Sequence, residues 1–479
     1  MVSTKQALRT LKQNGALGKW QNVQSRLYEK CDPEILPKFK IAQGETVFTI
    51  GSCFARNMEE VLSKLGYDIP MLSFGVPKHE WSARPQGILN KYTPPAIFQE
   101  IEWTARILTR DGVMAASDCT EMLYEVGDDQ WIDGWLSGYV PVSFERAVQR
   151  RQEVFDVFSK AFSSNYLVIT LGLIECWYDR ERKRYIQECP AIRPSFLKRY
   201  QNDIDFEVID YEKSLDLVQR SINLIEQVNP NAKVLITVSP VSLASTFTNE
   251  DVIIANSYSK SVLRAVAGAV SNGSDTVGYF PSYEKIVLTK NWSTYAEDLR
   301  HASDEAVSGI VISLARSYLD VSEDQIAEFQ GRMQDSWDAK AEVNAIVLKA
   351  QQEKSDSNYL ESAASFAKAA EVEKRPNQKL HLKARQTNML ILAGKHTEAL
   401  AIAENEIASG RENPELYFAI ARCMVNAGNQ KGAVPNLEKA LALNPNRLDI
   451  SNYLSSLTPL NNTIRRSRVA NWAKRLIRP

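Results

Sequence analysis

The feature that most constrains this chain is one handover from strand to helix, Thr46-Val-Phe-Thr-Ile-Gly-Ser-Cys-Phe-Ala-Arg56. Thr46 to Ile50 is a short run of β-branched and aromatic residues, and Gly51 breaks it. From Phe54 the apolar residues Phe54, Met58, Val61, Leu62 and Leu65 keep helical spacing until Gly66. Ser52 and Cys53 therefore stand at the carboxyl end of a buried strand, the rim where α/β sheets bind ligands. The helix start offers backbone N–H groups to a developing negative charge. A hydroxyl here is placed to be a nucleophile, with those N–H groups as part of an oxyanion hole.

The pattern continues downstream. Asn165 to Gly172 and Lys233 to Ser239 are apolar runs of the kind that parallel sheets bury on both faces, and Thr276 to Phe280 reads as a further strand. Tyr67 to Leu72 reads as a second strand. Helical patterns over Pro94–Leu108, Ser143–Ser163, Tyr211–Val228 and Asp251–Ala269 separate them, and Lys78–Tyr92 reads as a long loop. Alternation of this sort predicts a mostly parallel sheet with helices on both faces.

After about residue 320 the strands stop. Glu323–Lys354 reads as a polar helical spacer, and Pro414–Asn446 is close to one tetratricopeptide unit of about 34 residues. An earlier unit begins near Gln378 and turns at Leu392-Ala-Gly-Lys-His396, and a degenerate one begins near Ser357. Pro435 should kink or restart its helix. The organisation is then a lead-in (1–40), an α/β domain (41–320), a helical linker (321–356), repeats (357–460) and a basic tail (461–479).

A net charge of −1 supplies no field that favours nucleic acid, and no apolar run is long enough to span a bilayer. The N-terminus lacks the apolar core of a secretory signal, so the expected compartment is the cytoplasm, with any membrane contact peripheral and through the tail. Six scattered cysteines without a CxxC pair, and only four histidines, argue against a zinc cluster; no metal or cofactor is expected.

Which base could serve Ser52? His79 and His301 are the histidines of the α/β region; His381 and His396 fall in the repeats. His301 closes Asp298-Leu-Arg-His301, a spacing that lets a carboxylate hold the imidazole tautomer. Cys53 is the rival nucleophile, with a packed thiol as the alternative.

Gly51-Ser52-Cys53-Phe54-Ala55 is the pentapeptide for which the GSCFA family is named, and the chain resembles that family over about residues 45–305. Further segments carry the resemblance: Gly87-Ile-Leu-Asn90, Gly172-Leu-Ile-Glu-Cys-Trp177, Thr237-Val-Ser-Pro-Val241, Ala255-Asn-Ser-Tyr-Ser-Lys260, Tyr279-Phe-Pro-Ser-Tyr283 and Asp298-x-x-His301. The resemblance implies kinship with SGNH (GDSL-like) serine hydrolases and a flavodoxin-like α/β/α fold. It also implies Ser52 as nucleophile, His301 as base and Asp298 as its orienting acid. The wider pattern takes oxyanion donors from a glycine and an asparagine. The third block departs from it: where Gly-x-Asn-Asp is expected, this chain has Gly172-Leu-Ile174-Glu175, and Ile174 cannot donate. Gly87 and Asn90 are the candidate donors, Gly172 is a further oxyanion or substrate-binding candidate, and Glu175 is expected to orient substrate or Asn90, or to pair with Arg180. The implied activity is hydrolysis or transfer of acyl esters on glycans. A protein partner is expected to dock on the repeats; the alternative is a catalytically silent scaffold. Of the tryptophans Trp81, Trp103, Trp131, Trp135 and Trp177, one or two are expected to stack on a sugar and the rest to pack in the core.

Overall fold

The computed structural model describes residues 2–457 except 28–29, 78–79, 81–84, 139, 290–293, 297 and 445–446. The basic tail, His79 and Trp81 thus lie outside the described residues. The chain divides into two compact units, residues 1–330 and 331–479.

The first unit contains strands β1 (Val47–Gly51), β2 (Leu123–Gly127), β3 (Gln130–Asp133), β4 (Tyr166–Leu171), β5 (Glu175–Asp179), β6 (Arg184–Ile186), β7 (Ile204–Val208), β8 (Lys233–Val238) and β9 (Val277–Phe280). The central sheet has the order β1-β4-β8-β9, and every pairing in it is parallel. Every residue of β1 and β4 is buried, which is why their sequences are apolar throughout rather than alternating. Register aligns Gly51, Thr170, Thr237 and Phe280 in one row across the carboxyl edge. Helices Cys53–Lys64, Pro94–Arg110, Tyr211–Val228, Val252–Asn272 and Asp304–Tyr318 flank the sheet.

Three features depart from the sequence reading. Tyr67–Leu72 is not a strand: a single bridge joins Thr46 to Asp68, then Pro70–Ser73 forms a tight helical turn. Pro70 has no N–H to give a ladder and its fixed φ suits that turn. A β2–β3 hairpin and an antiparallel sheet β6-β5-β7 had no counterpart in the sequence reading. The helix Gln430–Leu443 runs through Pro435 without restarting; Asn429 caps its first turn by accepting from the Gly432 N–H.

Behind the sheet edge lies a buried group of four charges. Lys91 Nζ is 2.6 Å from Glu100 Oε2, Arg151 Nη1 is 2.5 Å from Glu100 Oε1, and Arg151 Nε is 2.7 Å from Asp133 Oδ2. The Arg151 guanidinium also lies over the rings of Trp103 and Trp135, both buried. Lys91 is tied to the edge itself, since its backbone N–H donates to Gly51 O at 2.8 Å.

The second unit is a run of packed helices: Tyr359–Val372, Pro376–Leu392, His396–Ala408, Pro414–Asn426, Gln430–Leu443 and Leu448–Leu457. Small buried residues, among them Ala363, Ala369, Ala399 and Ala419, let them approach closely. Gly394 and Gly428 take left-handed backbone at the turns after helices Pro376–Leu392 and Pro414–Asn426. Glu323–Ser355 is a single helix; near its end Ala350 O accepts from Ser362 Oγ at 2.7 Å. No described helix is long and apolar enough to cross a membrane.

Glu100→Ala removes the carboxylate that Lys91 and Arg151 share. Breaking a buried ion pair costs about 3–5 kcal/mol, so urea unfolding should show a loss of that order. A loss near zero would mean that the buried charges do not hold this edge.

Candidate functional site

Gly51 ends β1 with φ +146, and a Cβ there would lie 2.3 Å from Thr170 O. Only glycine allows β1 to run this close to β4. The next residue, Ser52, is the N-cap of helix Cys53–Lys64, yet its side chain makes no capping bond. It is 2% exposed, and Oγ has no hydrogen-bond partner. An unsatisfied buried hydroxyl costs about 1–3 kcal/mol.

Gly172 flanks it. A Cβ at Gly172 would sit 2.6 Å from Tyr92 O and 3.4 Å from Ser52 Cβ. The Gly172 N–H donates to Tyr92 O at 3.1 Å, so this group is spent on backbone and is not an oxyanion donor. Asn90 is buried; its Nδ2 donates to Tyr92 Oη at 3.1 Å and its Oδ1 has no partner. Burial raises the Tyr92 phenol, helped by the nearby Cys53, and keeps it protonated. Gly87 lies in the helical turn Pro85–Leu89, where its carbonyl accepts from the Asn90 N–H.

The Asp298–His301 pair forms as its spacing suggested. His301 Nδ1 lies 2.6 Å from Asp298 Oδ2, while Asp298 Oδ1 accepts the backbone N–H groups of Arg300 and His301, each at 3.0 Å. These bonds, the imidazole first, hold the Asp298 carboxyl well below the usual carboxylate range. The tautomer this implies leaves Nε2 as an acceptor. Nε2, however, meets Arg300 Nη1 at 3.4 Å and makes no hydrogen bond to Ser52. Arg300 also donates from Nε to Ser242 O at 2.9 Å, which ties this segment to the loop after β8.

Glu175 neither pairs with Arg180 nor reaches Asn90. Its carboxylate accepts from Thr246 Oγ1 at 2.7 Å and from the Phe247 N–H at 3.1 Å, clamping the loop after β8. Arg180 instead pairs with Asp205. Trp177, Phe206 and Phe247 form an aromatic cluster there, with Phe247 half exposed.

The sequence reading gave no role to Lys260, Arg300 or Tyr92. Lys260 is fully buried on helix Val252–Asn272 and donates from Nζ to Gly172 O at 2.6 Å. Burial pulls its ammonium down to about 7, against the neighbouring Cys53, with the charge of Arg300 adding to the fall. Burial pushes the Cys53 thiol up despite Arg300 and Lys260, so at neutral pH it is a thiol rather than a thiolate nucleophile. All six cysteines are free. Among the described residues no group of His, Cys, Asp or Glu is placed to hold a metal ion.

The sequence model of the GSCFA family matches residues 46–313, more than half of the chain. No curated protein matches.

The Lys260 ammonium titrates at about 7 when folded, against an ordinary 10.5. Between those values the unfolded chain binds more protons, so this residue makes stability rise with pH across that window. In urea unfolding at pH 7 and pH 10, Lys260→Met should lose part of that rise; identical pH slopes in the two proteins would contradict the shift.

Proposed function

The chain belongs to the GSCFA family, and from that premise we propose that it is a serine-dependent acyl-ester enzyme of SGNH type, hydrolysing or transferring acyl groups on glycans. The observation that carries the reading is Ser52 Oγ: it stands at a helix start on the sheet's carboxyl edge, spent neither on capping nor on any other hydrogen bond. Ser52 Oγ attacks the ester carbonyl and its proton passes to His301 Nε2, while Asp298 holds Nδ1–H and stabilises the imidazolium. Catalytic hydrogen bonds are often loose before substrate binds, and here Arg300 has to leave Nε2 for the relay to close. The oxyanion is met by backbone N–H groups at the start of helix Cys53–Lys64 and by the Tyr92 hydroxyl. Asn90 acts through Tyr92, because a phenol oxygen that accepts a hydrogen bond becomes a better donor. This is how the chain compensates for Ile174. Collapse of the tetrahedral intermediate expels the alcohol, which takes its proton from His301. Water or a sugar hydroxyl then accepts the acyl group from Ser52.

The helices from Tyr359 onward are read as tetratricopeptide-like repeats whose concave surface recruits a protein partner. Free thiols throughout fit a cytoplasmic setting. The second reading, a catalytically silent domain in a scaffold, is favoured by the contact of Arg300 with His301 Nε2 and by Ile174.

A fluorophosphonate probe should label the wild-type protein and Cys53→Ala but not Ser52→Ala. No labelling at any pH, with an unchanged cellular phenotype in Ser52→Ala, would favour the scaffold. Tyr92→Phe should lower kcat about 10²–10³-fold, the usual effect of losing one oxyanion donor; an unchanged kcat would remove Tyr92 from the hole.

A further inference from the structure

The buried cations among the described residues follow one habit. Arg56 meets Glu59, Lys91 meets Glu100, Arg150 meets Glu80, Arg151 meets Glu100 and Asp133, and Lys285 meets Asp32. Lys260 breaks it. Fully buried, it has a carbonyl oxygen as its hydrogen-bond partner and no carboxylate among the described residues. Arg300, whose charge acts on both Lys260 and Cys53, has its guanidinium on Ser242 O and His301 Nε2 and on no carboxylate among the described residues.

Among the described residues, the nearby acids do not fill the gap. Asp298 gives one oxygen to the His301 ring and the other to two backbone N–H groups. Glu175 is taken by Thr246 and Phe247. Cys53 is a neutral thiol. A desolvated ammonium beside a guanidinium is costly without an anion, and both lie on the rim that carries Ser52, because Lys260 holds Gly172 and Gly172 abuts Ser52.

We propose that the ester substrate carries an anionic group, a carboxylate or a phosphate, which the Arg300 guanidinium binds above Lys260 and which draws Arg300 away from His301. The inference rests on the ester-enzyme reading and names its substrate class. Arg300 prefers a planar two-oxygen partner to the single lone pair of Nε2. Substrate binding then does two things at once: it neutralises the cation pair and leaves His301 Nε2 open to Ser52. A neutral ester gains no such help and turns over more slowly, on the fraction of molecules in which Arg300 has already left Nε2.

The test uses the full-length protein and three O-acetylated substrates: a methyl uronide, a hexose 6-phosphate and the matching neutral methyl hexoside, with p-nitrophenyl acetate as a small neutral ester. Hydrogen bonds to charged groups are worth about 10–100-fold in binding. One of the two acidic sugars should therefore exceed the neutral one by at least about tenfold in kcat/KM, and which of them does identifies the anion. Arg300→Gln should collapse that ratio and Arg300→Lys should restore part of it. Equal kcat/KM for all three sugars, with Ser52-dependent hydrolysis of p-nitrophenyl acetate intact, overturns this inference alone. Absence of that hydrolysis overturns the ester reading. In that case calorimetry of the free uronide and hexose phosphate on Ser52→Ala still decides whether the anion site exists. Binding that Arg300→Gln abolishes supports the site, and absence of binding refutes it.

Discussion

Two glycine contacts at the carboxyl edge of the sheet make the rest of the site possible. At Gly51 the backbone of β1 passes so near Thr170 that a Cβ would collide with its carbonyl, and at Gly172 the same holds for Tyr92. These contacts bring the end of β1, the end of β4 and the segment from Asn90 to Tyr92 within one side chain of each other. Ser52 lies between them. Its hydroxyl is left unsatisfied because the surroundings are backbone already engaged elsewhere: Tyr92 O takes Gly172 and Leu173, and Gly51 O takes Lys91.

Charge is handled differently on the two sides of this edge. Behind it, Lys91, Glu100, Arg151 and Asp133 close on one another and fix the segment that carries Asn90 and Tyr92. A closed group of this kind gains little over apolar packing but is expensive to break, which suits a part that must not move. On the rim itself, Lys260 and Arg300 meet no carboxylate among the described residues, and the Asp298–His301 pair is half exposed. The molecule keeps its balanced charges behind the site and its unbalanced ones within it.

Much of this was legible in the sequence. The strands of the central sheet announce themselves because strands buried on both faces must be apolar throughout. Ser52 was legible from the switch between strand and helix spacing, and Asp298–His301 from its own spacing. What was not legible came from contacts between distant segments. β5 begins with Glu175, which serves the loop after β8, and the strand is too short and mixed for its pairing with β7 to show as a period. Gly172 looked like an oxyanion donor until its N–H was found bonded to Tyr92. Lys260 reads as an ordinary polar residue of an amphipathic helix, and only burial reveals that it lacks an acid. Arg300 sits inside the Asp298–His301 motif, yet nothing in its spacing shows that it faces Nε2.

The proposed chemistry turns on Ser52 Oγ as the atom that carries the acyl group. The most direct measurement is rapid-quench mass spectrometry of the whole protein mixed with an activated acyl donor, followed by fragment sequencing across Gly51–Ala55. One acyl mass on Ser52 is expected, held as an ester that neutral hydroxylamine does not cleave. An acyl group on Cys53, released by neutral hydroxylamine, or no acyl-protein at any quench time would contradict it.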